Sequence, residues 1–513
     1  MKPESVEALY RLTPLQEGML FHSLLESSPG VFAVQVACVL EGTLEPAHLR
    51  EAWARVVAQH PILRTSFHWE EGDKPLQLVH RQVDLPWREE DWSGLAESAW
   101  RTRLEGFLAD DRRRGFDLAR APLLRLSLIR LGEKRWAFAW THHHLLLDGW
   151  STPIVLGDVF AVHAALVENR APAIRSPRPY RDFIAWHLAR AEEGGDEAAT
   201  FWRARLGDFV TPTPLPLSSS TAGGAAGAAP GSLEHGEHRH EVGEQTTRAL
   251  TAAARGLGVT LATLLEGAWG LLLGRLTGES DVVFGTVVSG RPPELTGSQE
   301  MVGLFINTVP VRVRLDEEMP VGAWLRGLQQ ARAAASRHDH AGLVAVQGWS
   351  GVPRGTPLFD SLLILENFPL EAALDRPIPG LRMHDVRSSE ANNHALTLTV
   401  LPGPLLRLRL EFDPALFERR AIERLAVHLE RLLAGLAAGA GDAERRLGEV
   451  SLLDAGERSA ELARGQGMVH RLPGGTVVDG IAAQVAATPA GMAVRDERTA
   501  LDYATLWRRA GGL

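Results

Sequence analysis

Three consecutive histidines, followed closely by an aspartate and a glycine, are the residues of this sequence best suited to proton chemistry. They lie in the run HHHLLLDGWS, residues 142–151. A neutral imidazole has a pKa of about 6.5, so it can accept or relay a proton near neutral pH. Side chains alternate along a strand, which predicts that His142 and His144 face one side and His143 the other. One histidine is therefore expected at a cleft and another inside the fold.

Asp148 and Gly149 follow the histidines and leucines of this run and predict a tight junction between a strand and a helix. A carboxylate buried at such a junction needs a fixed partner, and we favour an arginine over one of the histidines. The glycine lets a backbone turn or a substrate carbonyl approach closely. Ser151 is predicted to cap the helix that follows.

Other chemistries that use histidine or serine lack their remaining residues. Zinc would need further Cys or His ligands, and the chain has no His-Glu-x-x-His motif, so no metal is expected. Ser289, in the run VSGR, does not lie in the Gly-x-Ser-x-Gly elbow of a serine hydrolase, and no Walker phosphate loop occurs. An isolated histidine run is by default structural, so its meaning depends on the rest of the chain.

The elements that must hold the run are predicted from hydrophobic spacing. Alternating leucines in 122–131 and a second extended run in 135–141, joined by a turn, predict a hairpin that ends at the histidines. Helices are predicted over 14–25, with Thr13 as the N-cap, and over 46–59, 151–166, 180–192, 243–256, 259–276 and 414–433. Further strands are predicted over 31–40, 281–289, 303–315, 358–366, 395–401 and 406–412. Strands and helices mix in both halves, which indicates an α/β (α+β) fold.

Length and composition indicate several folded parts. A chain of 513 residues is too long for one ordinary core. The segment 217–231 has almost no bulky side chains and is predicted to join two halves. The predicted divisions are an N-terminal lobe, an inter-lobe connection, a C-terminal lobe, a linker and the start of a truncated domain, at residues 1–176, 177–234, 235–453, 454–475 and 476–513.

Charge and cysteine content limit the partners and the compartment. A formal net charge of -9 disfavours binding to nucleic acid or to an anionic membrane surface. The single cysteine, Cys38, is expected to be buried and inert, which favours a reducing compartment. With neither a signal pattern nor an apolar run of membrane-spanning length, the protein is expected to be cytoplasmic.

The run from His143 to Gly149 resembles the His-His-x-x-x-Asp-Gly signature of nonribosomal peptide synthetase condensation domains. Further motifs of that family follow in the right order: LTPLQEGML (12–20), HPILRTSF (60–67), YRDFIAW (180–186), DVVFG with SGR (281–285 and 289–291), VGLFINTVP (302–310) and FDS with EN (359–361 and 366–367). Together they span most of the chain between the first helix and the C-terminal linker.

The resemblance implies two lobes, each like chloramphenicol acetyltransferase, in a V-shaped pseudo-dimer with a tunnel between them. An upstream donor and a downstream acceptor peptidyl carrier protein would bring thioesters on phosphopantetheine arms, with no cofactor bound directly. The acceptor amine would attack the donor carbonyl to form an amide without an acyl-enzyme.

The resemblance also implies roles for the site residues. His144 is the key residue of a candidate catalytic set with His143, Asp148 and Gly149, acting as a base or as an orienting and charge-stabilising group. An α-amino group has a pKa of about 8, so positioning is expected to matter more than proton removal. The preferred partner of Asp148 is Arg291, with Arg64 as the alternative, and the candidates for the tunnel wall are Trp150, Ser151, Ser289 and Asn307.

Three stretches are similar to condensation domains that accept a donor with a D-configured terminal residue: QEGMLFH (16–22), LLL (145–147) and VQGWS (346–350). The alternatives are an epimerisation domain and a non-catalytic carrier-docking platform; a heterocyclising relative would have aspartate in place of His143. His394 stands where the family often has a tyrosine-proline pair, on a strand expected to bridge the lobes. Residues 477–511 resemble the beginning of an adjoining adenylation domain without its nucleotide loop.

Overall fold

The computed structural model describes residues 5–25, 30–70, 74–172, 177–215, 236–366, 378–390, 394–467, 474–496 and 499–511. The predicted joint at 217–231 and Asn367 of the last motif lie outside these ranges. Contacts divide the chain into two compact units, Met1–Leu452 and Leu453–Leu513.

The first unit contains fourteen described strands and ten described α-helices. Its strands are β1 (Val6–Arg11), β2 (Ala33–Gly42), β3 (Thr65–His68), β4 (Leu76–His80), β5 (Trp87–Asp91), β6 (Leu124–Gly132), β7 (Arg135–His143), β8 (Gly236–Glu241), β9 (Asp281–Val288), β10 (Asn307–Arg314), β11 (Ser361–Leu365), β12 (Leu381–Glu390), β13 (Leu396–Leu401) and β14 (Arg407–Phe412). Its helices are α1 (Pro14–Leu25), α2 (Pro46–Gln59), α3 (Glu97–Arg113), α4 (Ser151–Val167), α5 (Tyr180–Leu206), α6 (Glu244–Leu257), α7 (Leu261–Thr277), α8 (Val321–Ala335), α9 (Leu343–Trp349) and α10 (Arg419–Ala440).

The second unit is small and has no buried residue in its described helices. It contains α11 (Ala455–Gly465), α12 (Val477–Ala487), β15 (Met492–Arg495), β16 (Ala500–Asp502) and α13 (Tyr503–Ala510).

The histidine run leaves the centre of a five-stranded sheet of order β12-β2-β7-β6-β5. β7 pairs antiparallel with β6, so the predicted hairpin is confirmed, and it pairs with β2 on its other side. The last seven residues of β7 are all buried, as expected for a central strand covered on both faces. Trp140 of β7 packs against Trp53 of α2, with ring centroids 4.9 Å apart. The strand that delivers the histidines is thus paired on both sides and buried along most of its length.

The second large sheet has the order β10-β9-β11-β13-β14-β8. Helices α6, α7, α8 and α10 contribute to its core, with Trp269 of α7 fully buried. The core of the first sheet also includes Leu295, Met301 and Phe305, which come from the loop between β9 and β10. One loop of the second half is therefore part of the first core.

One strand from the second half, β12, also joins the first sheet. β12 lies between β11 and β13 in sequence, yet it pairs antiparallel with β2 at the edge of the first sheet, from Leu381 opposite Gly42 to Glu390 opposite Val34. The sequence assigned the bridging role to the strand after His394, and this is wrong: β13 pairs with β11 and β14 inside the second sheet. β12 is mostly exposed or half-buried, so it lacks the apolar alternation that identifies a strand.

Other boundaries differ from the prediction for local reasons. The first helix begins at Pro14 as predicted, with the Thr13 hydroxyl accepting from the N–H of Gln16 at 3.2 Å, but residues up to Arg11 before it form a strand against β4 that was not predicted. Residues 303–306 were expected in a strand but form a loop that turns towards the first core. The long C-terminal helix of the first unit begins at Arg419, five residues later than predicted.

Among the described residues, no single helix is long and apolar enough to cross a membrane, although α6 and α7 pass that test as a bent pair.

The docking of the crossing strand can be tested at Gly42. This residue has a φ of +135°, and an added Cβ would lie 2.0 Å from the carbonyl oxygen of Gly380, at the start of β12. We expect Gly42→Ala to destabilise the first unit by about 1–3 kcal/mol, because both the backbone and the contact become strained. The urea midpoint followed by tryptophan fluorescence measures it. Gly132→Ala, with nothing within 4 Å, is the control, and equal midpoints for the two variants would contradict the expectation.

Candidate active site

The site begins where β7 ends. The backbone N–H of His144 donates to the carbonyl of Phe32, 2.8 Å away, so the residue is still held by the sheet. The three leucines that follow are at most 1% exposed to solvent and anchor the turn in the core. The position of the imidazole is therefore set by a strand and a packed turn.

His143 points into the fold. Its Nδ1 accepts a hydrogen bond from the N–H of Leu145 at 3.1 Å, and the rings of Phe32 and Phe116 lie 6.2 Å away. Burial lowers its pKa to about 3, so the imidazole is neutral at physiological pH. His143 is thus suited to hold the turn.

His142 and His144 face the opposite side, as the alternation predicted. Both line a cavity of about 50 Å³ together with Asp148 and Gly149. Burial, with a smaller contribution from the neighbouring histidines, lowers the pKa of His142 to about 3. Of the three histidines, only His144 departs from this behaviour.

The Nε2 atom of His144 lies 2.8 Å from Oε1 of Glu390, the last residue of the crossing strand. Burial alone would lower the pKa of His144, but the charge of Glu390 and the hydrogen bond to it outweigh burial and raise the pKa to about 9. Burial would raise the pKa of Glu390, and the same contact holds it below its usual value. The pair is therefore an ion pair at neutral pH, and the sequence contained no signal for it.

Asp148 is enclosed by donors. Its Oδ1 accepts hydrogen bonds from the N–H and the hydroxyl of Ser151 at 2.8 and 2.7 Å, and its Oδ2 accepts one from the N–H of Phe305 at 3.1 Å. The carboxylate thus caps α4, whereas Ser151 is the first residue of that helix and not its cap. Both carboxylate oxygens of Asp148 therefore accept hydrogen bonds, Oδ1 from Ser151 at the start of α4 and Oδ2 from Phe305 in the loop after β9.

Arg291 supplies the charge that Asp148 needs. Its Nη2 lies 3.1 Å from Oδ1 of Asp148, and the two side chains are 1% and 0% exposed. The guanidinium also donates to the carbonyl of Met301 at 2.9 Å and stacks on Phe305, with Cζ 3.9 Å from the ring centroid. The preferred pairing of Asp148 with Arg291 is confirmed.

Arg64 is far from this network. It donates to Glu7 at 2.8 Å and to the carbonyl of Val57 at 3.2 Å, and so ties β1 to the end of α2. The alternative pairing of Arg64 with Asp148 is wrong.

The candidates for the tunnel wall separate into two groups. Ser289 and Asn307 line a cavity of about 650 Å³ between α1, α5 and the loop after β9. Trp150 donates through Nε1 to the carbonyl of Gln299 at 3.1 Å, and Ser151 is fully buried. These last two hold the loop, and Ser151 has no surface with which to line a tunnel.

In the part of the chain that the structure describes, no group of three or more His, Cys, Asp or Glu side chains is arranged to bind a metal ion.

The buried pair can be tested by substitution. Removing one partner leaves the other charge buried, so Arg291→Met is expected to cost about 3–5 kcal/mol. Asp148→Asn with Arg291→Met should cost less than the sum of the single changes, because the two residues are coupled. Urea unfolding measures both.

The control for that experiment is Glu51→Gln, which breaks the exposed pair of Glu51 with Arg55. That change should cost no more than about 1 kcal/mol. If Arg291→Met cost as little as this control, the pair would not be holding the site.

The sequence matches the protein family described as Condensation domain over residues 6–460. One subunit of linear gramicidin synthase from Brevibacillus parabrevis is 40% identical over 509 residues, which are 99% of this chain and 10% of that protein. Another subunit of the same synthase, from the same organism, is 38% identical over 512 residues, 99% of this chain and 6% of that protein. The chain spans a tenth or less of the length of these curated relatives.

A solved structure has the same fold. It is a mutant of the starter condensation domain of rhizomide synthetase in complex with C8-CoA and Leu-SNAC, with a TM-score of 0.72 at 21% identity, covering 87% of this chain and 98% of that chain. At that identity the likeness concerns the fold alone, and it confirms the predicted mixed α/β architecture.

Proposed function

We propose that this chain joins a carrier-bound donor thioester to a carrier-bound acceptor aminoacyl thioester. The chain belongs to the condensation domain family of nonribosomal peptide synthetases, and the enzymes of this family are amide-forming acyltransferases. The observation that carries the proposal is the placement of His144 at a cavity, on a turn latched by the buried Asp148–Arg291 pair. Both carriers would present their thioesters on a phosphopantetheine arm.

In this proposal the residues of the signature divide the work. His144 meets the acceptor amine and the developing charge of the tetrahedral intermediate, while His143, Asp148 and Gly149 aim it. Positioning two thioesters in one site makes their reaction effectively unimolecular, which is the larger gain available. Ser289 and Asn307 remain candidates for the tunnel wall, because they line the larger cavity.

The domain organisation belongs to the same proposal. Residues 1–176 and 235–453 would be the two lobes, joined by 177–234, and residues 476–513 would open an adenylation domain after the linker at 454–475. The neighbouring partners would then be that adenylation domain and the upstream and downstream carrier proteins.

The catalytic assignment is tested with donor- and acceptor-loaded carrier proteins covering small, aliphatic and aromatic side chains. The chain should form an amide-linked dipeptidyl thioester, detected by mass spectrometry, and His144→Ala should lower the rate on the order of 10²–10⁴-fold. His238→Ala, on the edge strand β8, is the matched control and should leave the rate unchanged. Equal yields from wild type and His144→Ala would contradict the role of His144, and no amide from any pair would contradict the function.

The proposed donor has a D-configured terminal residue, as the stretches around residues 16–22, 145–147 and 346–350 suggest. The D- and L-forms of the best donor should therefore differ, with the D-form faster. Chiral analysis of the product distinguishes this from epimerisation, which would scramble the α-carbon without requiring an acceptor. Equal rates for the two forms would remove the stereochemical assignment.

A further inference from the structure

The ion pair of His144 with Glu390 occupies the atom that a substrate needs. The Nδ1 atom of His144 is buried, so Nε2 is the ring nitrogen that a substrate in the cavity can reach. In the structure that nitrogen already contacts Oε1 of Glu390 at 2.8 Å. The carboxylate must therefore yield before His144 can act on another group.

The size of the cavity leads to the same conclusion. Its volume of about 50 Å³ leaves room for only a few water molecules, each of which needs about 10–15 Å³ of such space. An aminoacyl group is larger, so part of the wall has to move when a substrate arrives. Glu390 is the wall residue best placed to do so, because it ends an edge strand and its side chain is 36% exposed.

The charges around Glu390 indicate what displaces the imidazole. The residues facing His144 are His142 on its own strand, Asp148 on the following turn, Glu366 after β11, Glu390 on β12 and Arg409 on β14. Asp148 is committed to Arg291, and Arg409 lies 2.9 Å from Glu366. The carboxylate of Glu390 has His144 as its hydrogen-bonded counter-ion, and Arg409 adds a smaller electrostatic contribution. A group that displaces the imidazole without leaving a charge unpaired therefore has to be a cation.

We infer that Glu390 binds the α-ammonium of the acceptor aminoacyl thioester, which takes the place of His144 at this carboxylate. The inference rests on the proposed amide-forming function, and it assigns the acceptor a binding group in the reaction. An α-amino group has a pKa of about 8, so at neutral pH the acceptor arrives mostly as the cation that this carboxylate requires.

The exchange also prepares His144. When the carboxylate is paired with the ammonium, the contribution that outweighs burial is lost, and burial lowers the pKa of His144 as it does that of His142. The imidazolium releases its proton to water, and Nε2 then accepts a proton from the bound ammonium. The neutral amine attacks the thioester carbonyl, the C–N bond forms and the C–S bond breaks. His144 gives its proton to the departing thiolate, and the second proton lost from the nitrogen restores the imidazolium.

The first test uses the full chain and needs no turnover. Histidine labelled with ¹³C is followed by NMR, with His144→Ala assigning the resonance. In wild type the titration midpoint of His144 is expected near 9. The glycine thioester of N-acetylcysteamine should lower it, whereas the N-acetylglycine thioester, which has no ammonium, should not. Glu390→Gln should lower the midpoint by about 1–3 pH units before any ligand is added.

Binding and kinetics give the second readout. Glu390→Gln should weaken binding of the glycine thioester on the order of ten-fold or more. With loaded carriers it should raise the KM for the acceptor and leave the KM for the donor unchanged. Glu390→Asp keeps the charge and should recover part of both losses. Glu41→Gln is the matched control. Glu41, on β2, also pairs with a histidine, His384 of β12, at 3.3 Å, but it lies away from the cavity. This variant should behave as wild type.

Equal effects of the two thioesters on wild type, or an unchanged affinity in Glu390→Gln, would overturn the inference. Amide formation with an unchanged acceptor KM in that variant would overturn it while leaving the proposed function intact. Failure of wild type to form any amide, with the Glu390-dependent binding present, would instead contradict the function.

Discussion

The buried ion pair between Asp148 and Arg291 is the interaction on which the rest of the site depends. Both side chains are at most 1% exposed, and around them converge the end of β7, the start of α4 and the loop after β9. An unpaired charge at this depth would be costly, so each residue needs the other to be present. The histidine turn in the first half is therefore placed correctly only when the loop after β9, from the second half, has folded against it.

The strand β12, which crosses to the first sheet, is a second contribution from the second half on which the site depends. β12 leaves the chain between two strands of the second sheet, completes the edge of the first, and ends with Glu390 on His144. His144 consequently lies between two contributions from distant sequence, one that fixes its backbone turn and one that fixes the charge of its ring. The neutral His142 and His143, two residues and one residue away, show no such carboxylate partner among the described residues and remain ordinary buried histidines.

Local pattern was sufficient for the hairpin of β6 and β7, for the alternation that separates His143 from its neighbours, and for most helices, because these depend on nearby residues. The pairing of Asp148 with Arg291 was also foreseen, since a buried carboxylate needs a cation and the family motif offered one. Glu390 was not foreseen: it lies in a polar stretch whose strand exists only because β2 supplies an edge to pair with. The sequence wrongly predicts Ser151 as the cap and as part of the tunnel wall, because its burial depends on the loop at Gly303, 152 residues further along the chain. Long-range pairing of this kind leaves no periodic trace in sequence.

The exchange of segments between the two sheets restricts how such a chain can be recombined with a homologue. The residues around His144, the loop that carries Arg291 and the strand that ends at Glu390 are far apart in sequence, yet they form one inherited block. A chimera joined in the middle of the chain would combine a turn from one parent with a latch and a counter-ion from the other. Successful exchanges should therefore transfer residues 142–151, 289–305 and 381–390 together, and alter substrate preference through side chains outside that block.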